Sequence, residues 1–178
     1  MGSRKSRRKK GSEPSKGAVV VEGWTILAHP VFLDAMERLV SVVDDERASN
    51  PNAPPSGNTK LLGHLLDLAF VKIPQDPGSA AYRHGGTLAD RRHWFRGKTG
   101  GGRYRLFYRY DSRARIILYA WVNDEDSLRT YGSKTDAYAV FVKMLDSGDP
   151  PDTWEHLLKA ASAKNSMKRL KNLKPGAE

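Results

Sequence analysis

Cysteine is absent from all 178 residues. That excludes a disulfide framework and thiolate metal sites, and it suits a reducing compartment, so the cytoplasm is the expected location. No apolar run approaches the length of a membrane span. The basic N-terminal stretch is followed only by Ala18 to Val21, too little for the apolar core of a signal peptide. No His-x-His or His-x-x-x-His pair offers zinc ligands. Asp124, Glu125 and Asp126 are adjacent in a loop and cannot all converge on one ion, so their expected role is a salt bridge to Arg129. Gly100-Gly101-Gly102 lacks the Lys-Ser/Thr that completes a phosphate-binding loop, and it reads as a hairpin turn. No metal or other cofactor is expected.

Basic charge, by contrast, is plentiful and unevenly placed. The net charge is +10, and residues 1–16 and 162–178 hold +6 and +4 of it, leaving the middle formally neutral. Within that neutral middle, residues 83–115 carry ten Lys/Arg against Asp90 and Asp111, a local +8. Such segregation builds a field of one sign that attracts phosphates or acidic partners.

The organisation expected is a disordered basic tail over 1–17, one domain over 18–161 and a basic C-terminal tail over 162–178. A strand at Trp24–Leu27 stops at His29-Pro30, and Pro30 suits the first turn of a helix whose apolar stripe includes Phe32, Met36, Leu39 and Val43. Asn58 is the expected N-cap of a second helix reaching about Ile73. Pro74 to Asp90 is irregular. Three strands follow, at about His93–Lys98, Tyr104–Tyr110 and Ile116–Val122. After the loop Asn123–Gly132 come a helix carrying Ala137, Val140, Phe141, Met144 and Leu145, and a last helix from about Asp152. The order β-α-α-β-β-β-α-α predicts an α+β domain with helices on one face of a mostly antiparallel sheet.

If Thr99–Gly102 closes the hairpin, Lys98 lies opposite Arg103 and Arg96 opposite Arg105. Alternation then puts all four on one face with Trp94, Phe107 and Arg109. Directly opposed like charges destabilise a sheet by up to about 1 kcal/mol per pair, so two such pairs require an anionic partner. An RNA backbone would supply one, with aromatics available for stacking; a solvated basic face is the plain alternative.

Several blocks along the chain are similar to those of one family. They are Gly23-Trp24, Ala28-His29-Pro30, Tyr82-Arg83-His84-Gly85, Gly102 to Tyr110 (GRYRLFYRY), Asn123-Asp124-Glu125, Leu128-Arg129-Thr130-Tyr131-Gly132 and Lys134 to Tyr138 (KTDAY). From about Gly23 to Trp154 the chain resembles the YhaV-type toxins of type II toxin–antitoxin systems, within the RelE/ParE superfamily. The resemblance implies a RelE/ParE-like fold and a metal-independent endoribonuclease, an mRNA interferase acting on translated RNA at the ribosome and inhibiting growth. It also implies a PrlF-type antitoxin, with operator DNA bound only by the toxin–antitoxin complex, and no membrane.

Carried over on that resemblance, Arg96, Lys98, Arg105 and Arg129 are the catalytic basic residues, with Tyr131 or Tyr138 as the accompanying aromatic. Arg83, Arg103, Phe107, Arg109 and Lys134 are the expected RNA contacts. Attack by a 2′-OH needs a base, cations for the phosphorane and an acid for the leaving 5′-oxygen. Guanidinium groups suit the charge, Lys98 or a Tyr suits the base, and His84 is an alternative acid or base unless its ring is bonded to its own loop. A non-catalytic binding module and a ParE-like toxin of gyrase are the competing readings.

Overall fold

The computed structural model describes residues 16–176. All of the expected N-terminal tail but Lys16 and Gly17 therefore lies outside the described residues. Strands β1 (Val19–Val21), β2 (Trp24–Ala28), β3 (Phe95–Thr99), β4 (Tyr104–Asp111) and β5 (Ile116–Val122) form one sheet in the order β1-β2-β5-β4-β3. β2 and β5 run parallel at its centre and every other pair is antiparallel. The expected mostly antiparallel α+β architecture is what forms. β1 went unforeseen because a three-residue apolar run is too short to signal a strand. It exists because Glu22 and Gly23, both at positive φ, turn it back onto β2.

Helices cover both faces of the sheet, not one. On the first face lie α1 (Pro30–Ser49) and α2 (Gly57–Asp67), over a core that includes Ile26, Phe32, Leu65, Leu106, Tyr108, Ile117 and Tyr119. On the second lie α4 (Ala137–Ser147) and α5 (Trp154–Ala161), over Leu27, Trp94, Phe107, Leu118 and Trp121. Alternation along β4 and β5 supplies apolar side chains to both faces, a pattern that the nearly continuous apolar run of β5 already carries.

The segment 162–178, expected as a tail, contains helix α6 (Lys164–Leu173), which packs on α1 and the β1–β2 edge with Leu170 buried. Its apolar positions are sparse, and ion pairs to α1 accompany them. Arg169 reaches Asp34 at 2.6 Å and Glu37 at 2.8 Å on α1.

Helix starts follow the local chemistry. His29 caps α1, its Nδ1 accepting from the Val31 amide at 3.2 Å. Ser56, not Asn58, caps α2 by accepting from the Thr59 amide at 3.1 Å, while the Asn58 amide group donates to Glu46 at 2.7 Å. Beyond α2 the chain widens into a π-helical turn (Leu68–Lys72) before a short α3 (Ile73–Gln75). The Ile73 amide bonds to Leu68 O, and the next donor in that register would be Pro74, which has none. Ala69 O is thus left without a backbone partner, and the buried Tyr119 hydroxyl donates to it at 2.5 Å.

The β3–β4 hairpin pairs Lys98 with Arg105 and Arg96 with Phe107, so the partner shifts by two residues from the expected register. A shift of two preserves the faces. Arg96, Lys98, Arg105 and Phe107 do share one side, while Arg103 falls in the turn and only one cationic pair is directly opposed. The turn begins with Gly100, Gly101 and Gly102, all at positive φ, a run that side-chain-bearing residues rarely adopt.

Phe107 is 0% exposed, stacked on Phe141 of α4 at 4.1 Å and on Trp121 at 5.8 Å. A bulge makes this stack. Phe107 pairs with Trp121 and Tyr108 with Tyr119, so Ala120 is extra and both Ala120 and Trp121 turn to the second face.

Two stability changes follow. Phe107→Ala should lower the unfolding free energy by about 3–5 kcal/mol in urea titration, as for truncation of a buried aromatic. Tyr119→Phe, which orphans Ala69 O, should cost about 1–3 kcal/mol in the same assay.

Candidate active site

Where α4 begins, its first turn meets the second face of the β3–β4 hairpin. Tyr138, the second residue of α4, lies over that face, and its hydroxyl oxygen accepts from Arg96 Nε at 2.9 Å and Arg105 Nε at 3.1 Å. Both guanidinium groups are fixed by backbone as well. Arg96 Nη1 donates to Ala81 O at 2.8 Å, and Arg105 Nη1 donates to Gly102 O at 2.6 Å and Tyr104 O at 3.1 Å. Each arginine is almost buried, at 8% and 6% exposure.

Among the described residues no carboxylate pairs with either of them, and neither Nη2 group has a protein partner. Yet no buried side-chain donor is left unsatisfied, so these Nη2 groups reach solvent. The arrangement is two rigid cations presenting free N–H donors from a low-dielectric wall. It attracts an anion.

A third guanidinium joins through Tyr138. Arg129 lies over the Tyr138 ring at 4.9 Å and donates to Asp136 Oδ1 at 2.5 Å. Asp136 is buried and holds three groups at once: Arg129, the Thr130 amide at 2.7 Å and, as N-cap of α4, the Tyr138 amide at 3.0 Å. The Arg129 salt bridge expected from Asp124-Glu125-Asp126 therefore goes to Asp136. Asp124 instead closes its own turn, accepting from the Asp126 amide at 3.0 Å and Ser127 Oγ at 2.8 Å.

Asn123, also buried, ties the loop to the hairpin. Its carbonyl accepts from the Arg105 amide at 2.6 Å, and its amide donates to Arg103 O at 3.1 Å and Ser127 O at 2.8 Å. Neither Asp136 nor Asn123 was among the expected site residues. Each carried a visible signal, since Asp before a helical stripe is a capping pattern and Asn at a strand end favours backbone bonding.

The electrostatics converge on the phenol. Burial pushes the Tyr138 hydroxyl up, but the hydrogen bonds and charges of Arg105 and Arg96 outweigh it and hold the group below the ordinary tyrosine value. Its place in the first turn of α4 adds the positive end of the helix dipole. Around this centre the donors are cationic, which disfavours a divalent cation, and no group of three His, Asp or Glu converges among the described residues.

Other expected residues make no side-chain hydrogen bond to this cluster. Lys98 is exposed beside Arg105 in the register, and Arg103 is exposed in the turn. Tyr131 and Lys134 are exposed on the loop before α4, and Arg83 is exposed over the Phe95 ring at 5.6 Å. Phe107 has no free face for a base. Arg109 is held between Trp94 and Trp154 at 5.6 and 5.5 Å and donates to Asp152 O at 2.6 Å, so it joins sheet to α5.

His84 organises its own loop. Its Nδ1 accepts from the Gly86 and Leu88 amides at 3.1 and 3.3 Å, and its Nε2 faces Arg91 O at 3.0 Å, leaving neither nitrogen for substrate. His93 sits 2.7 Å from Asp152, which also accepts from Trp94 Nε1 at 2.7 Å.

Comparison with known proteins bears on what this centre serves. No solved structure matches the chain significantly. It is 44% identical over 140 residues to Ribonuclease toxin YhaV of Escherichia coli (strain K12), covering 77% of this chain and 91% of that protein. The same figures hold for Toxin YhaV of Escherichia coli O157:H7. Residues 26–162 match the model of a family described as a toxin with endonuclease activity, of toxin–antitoxin system. That span holds all five of Arg96, Arg105, Arg129, Asp136 and Tyr138, and the chain belongs to this family of YhaV toxins.

Proposed function

We propose that the chain is a metal-independent endoribonuclease, the growth-inhibiting toxin of a type II pair, on a RelE/ParE-like fold. The observation that carries the chemistry is the Tyr138 hydroxyl, shared by the Nε groups of Arg96 and Arg105 with no competing carboxylate. Tyr138 as its phenolate takes the proton of a substrate 2′-OH, and that oxygen attacks the adjacent phosphorus. Arg96, Arg105 and Arg129 neutralise the phosphorane charge, a role suited to fixed planar cations. The exposed Lys98, in register with Arg105, protonates the leaving 5′-oxygen. The products are a 2′,3′-cyclic phosphate and a free 5′-OH.

Family membership supports an antitoxin partner, and the YhaV resemblance points to a PrlF-type one that reaches operator DNA only in complex with the toxin. Translated RNA at the ribosome is the substrate this reading favours. The wall of unpaired cations suits a polyanion, and no described helix is long and apolar enough to cross a membrane.

Mapping 5′ ends of cellular RNA after induction tests the reading. New ends bearing 5′-OH should accumulate with the native protein and fall by about 10²–10⁴-fold with Tyr138→Phe, the usual worth of a general base. Growth arrest without new RNA ends would overturn it and favour a gyrase target. On RNA free of ribosomes, which themselves need magnesium, EDTA should leave cleavage by the purified protein unchanged. The cleavage rate should climb with pH to a plateau below the ordinary phenol value of about 10. Arg105→Gln, which removes a cation from the phenolate, should move that plateau to higher pH.

A further inference from the structure

Six of the seven tyrosines are buried or half-buried, whereas Tyr131 is 93% exposed. A large ring held in water contributes nothing to the core, so its placement calls for another use. Tyr131 is also anchored. The Arg129 guanidinium lies against its ring at 5.3 Å and against the Tyr138 ring at 4.9 Å, and Asp136 fixes that guanidinium at 2.5 Å. One immobilised cation therefore links the exposed ring to the reacting phenol and leaves the other face of Tyr131 open.

Beside it is an open depression of about 730 Å³ whose lining includes Arg129, Tyr131, Lys134, Tyr138 and Lys143. An aromatic platform, a basic rim and a shared wall with the site select a ligand that is both flat and anionic. A nucleotide is such a ligand.

We infer that Tyr131 is a stacking platform for an unpaired nucleobase of the substrate, one that flanks the phosphate held by Arg96, Arg105 and Arg129, with Lys134 and Lys143 meeting the neighbouring backbone. The inference rests on the nuclease reading and narrows it. A base can lie on Tyr131 only when it is free of a helix, so the substrate is single-stranded where it is bound. Tyr131 then leaves the list of possible general bases, and its hydroxyl is dispensable for binding.

The test uses the full chain and a fluorescent single-stranded 2′-O-methyl RNA, which lacks the attacking hydroxyl and cannot be cut by this route. Anisotropy should show binding by the native protein that weakens about 5- to 140-fold in Tyr131→Ala, the range for loss of one stacked base. Tyr131→Phe should stay within about threefold of native. Because the side chain is exposed, both variants should melt with the native protein, which separates lost stacking from lost folding. The same sequence held in a duplex should bind more weakly than the single strand.

Native-like affinity in Tyr131→Ala would overturn the inference. So would equal losses in Ala and Phe, or no binding by the native protein. Tyr131-dependent binding by a protein that cuts no RNA would leave stacking standing and sink the nuclease reading. Cleavage with Tyr131-independent binding would do the reverse.

Discussion

A single phenol oxygen between two guanidinium groups is the constraint around which this molecule is arranged. Arg96 and Arg105 sit diagonally on neighbouring strands of one sheet face, where like charges repel and burial penalises each of them. Among the described residues no carboxylate pairs with either arginine to offset that. The offset comes from α4, whose first turn brings the Tyr138 oxygen over both, and the aromatic stack of Phe107, Trp121 and Phe141 fixes α4 in place. The hydrophobic core of the second face thereby sets the geometry of the polar site at its edge. The backbone carbonyls of Ala81, Gly102 and Tyr104 complete the hold without contributing negative charge in full.

Carboxylates are managed with the same economy. Among the described residues Asp136 is the one acid at the cluster, and its oxygens are taken up by Arg129 and by the amides of Thr130 and Tyr138. Asp152, 58 residues away from Trp94 in sequence, gathers His93, Trp94 and Arg91 elsewhere on the same face. Several basic residues are thus structural members of the fold, Arg91, Arg109 and Arg169 among them. The cations left for a polyanion are fewer than the local +8 suggests, and they are concentrated at one place.

Much of this was legible in the sequence, for definite reasons. The three consecutive strands β3 to β5 were marked by their turns, and the sidedness of Arg96, Lys98 and Arg105 follows from period-two alternation, which a register shift of two residues cannot disturb. What failed was anything decided by a third element. Phe107 and Arg109 alternate onto the basic face as foreseen, but α4 and α5 cover that face, so one is core and the other a strut. Trp121 joins Phe107 only through a bulge at Ala120, and a bulge has no signature in an unbroken apolar run. α6 looked like a tail because its charge is high, and its anchor, Arg169, becomes visible only once α1 is beside it. His84 read as an alternative acid or base or as a loop histidine bonded to backbone, and local amide geometry decided for the loop.

The central pairing of β2 with β5 joins residues far apart in the chain, and α4, which carries Tyr138, follows every strand. During synthesis the sheet cannot close until β5 has been made. The phenol reaches the two arginines later still. A nascent copy of this toxin therefore has no assembled cluster of Tyr138, Arg96 and Arg105 until α4 has been made.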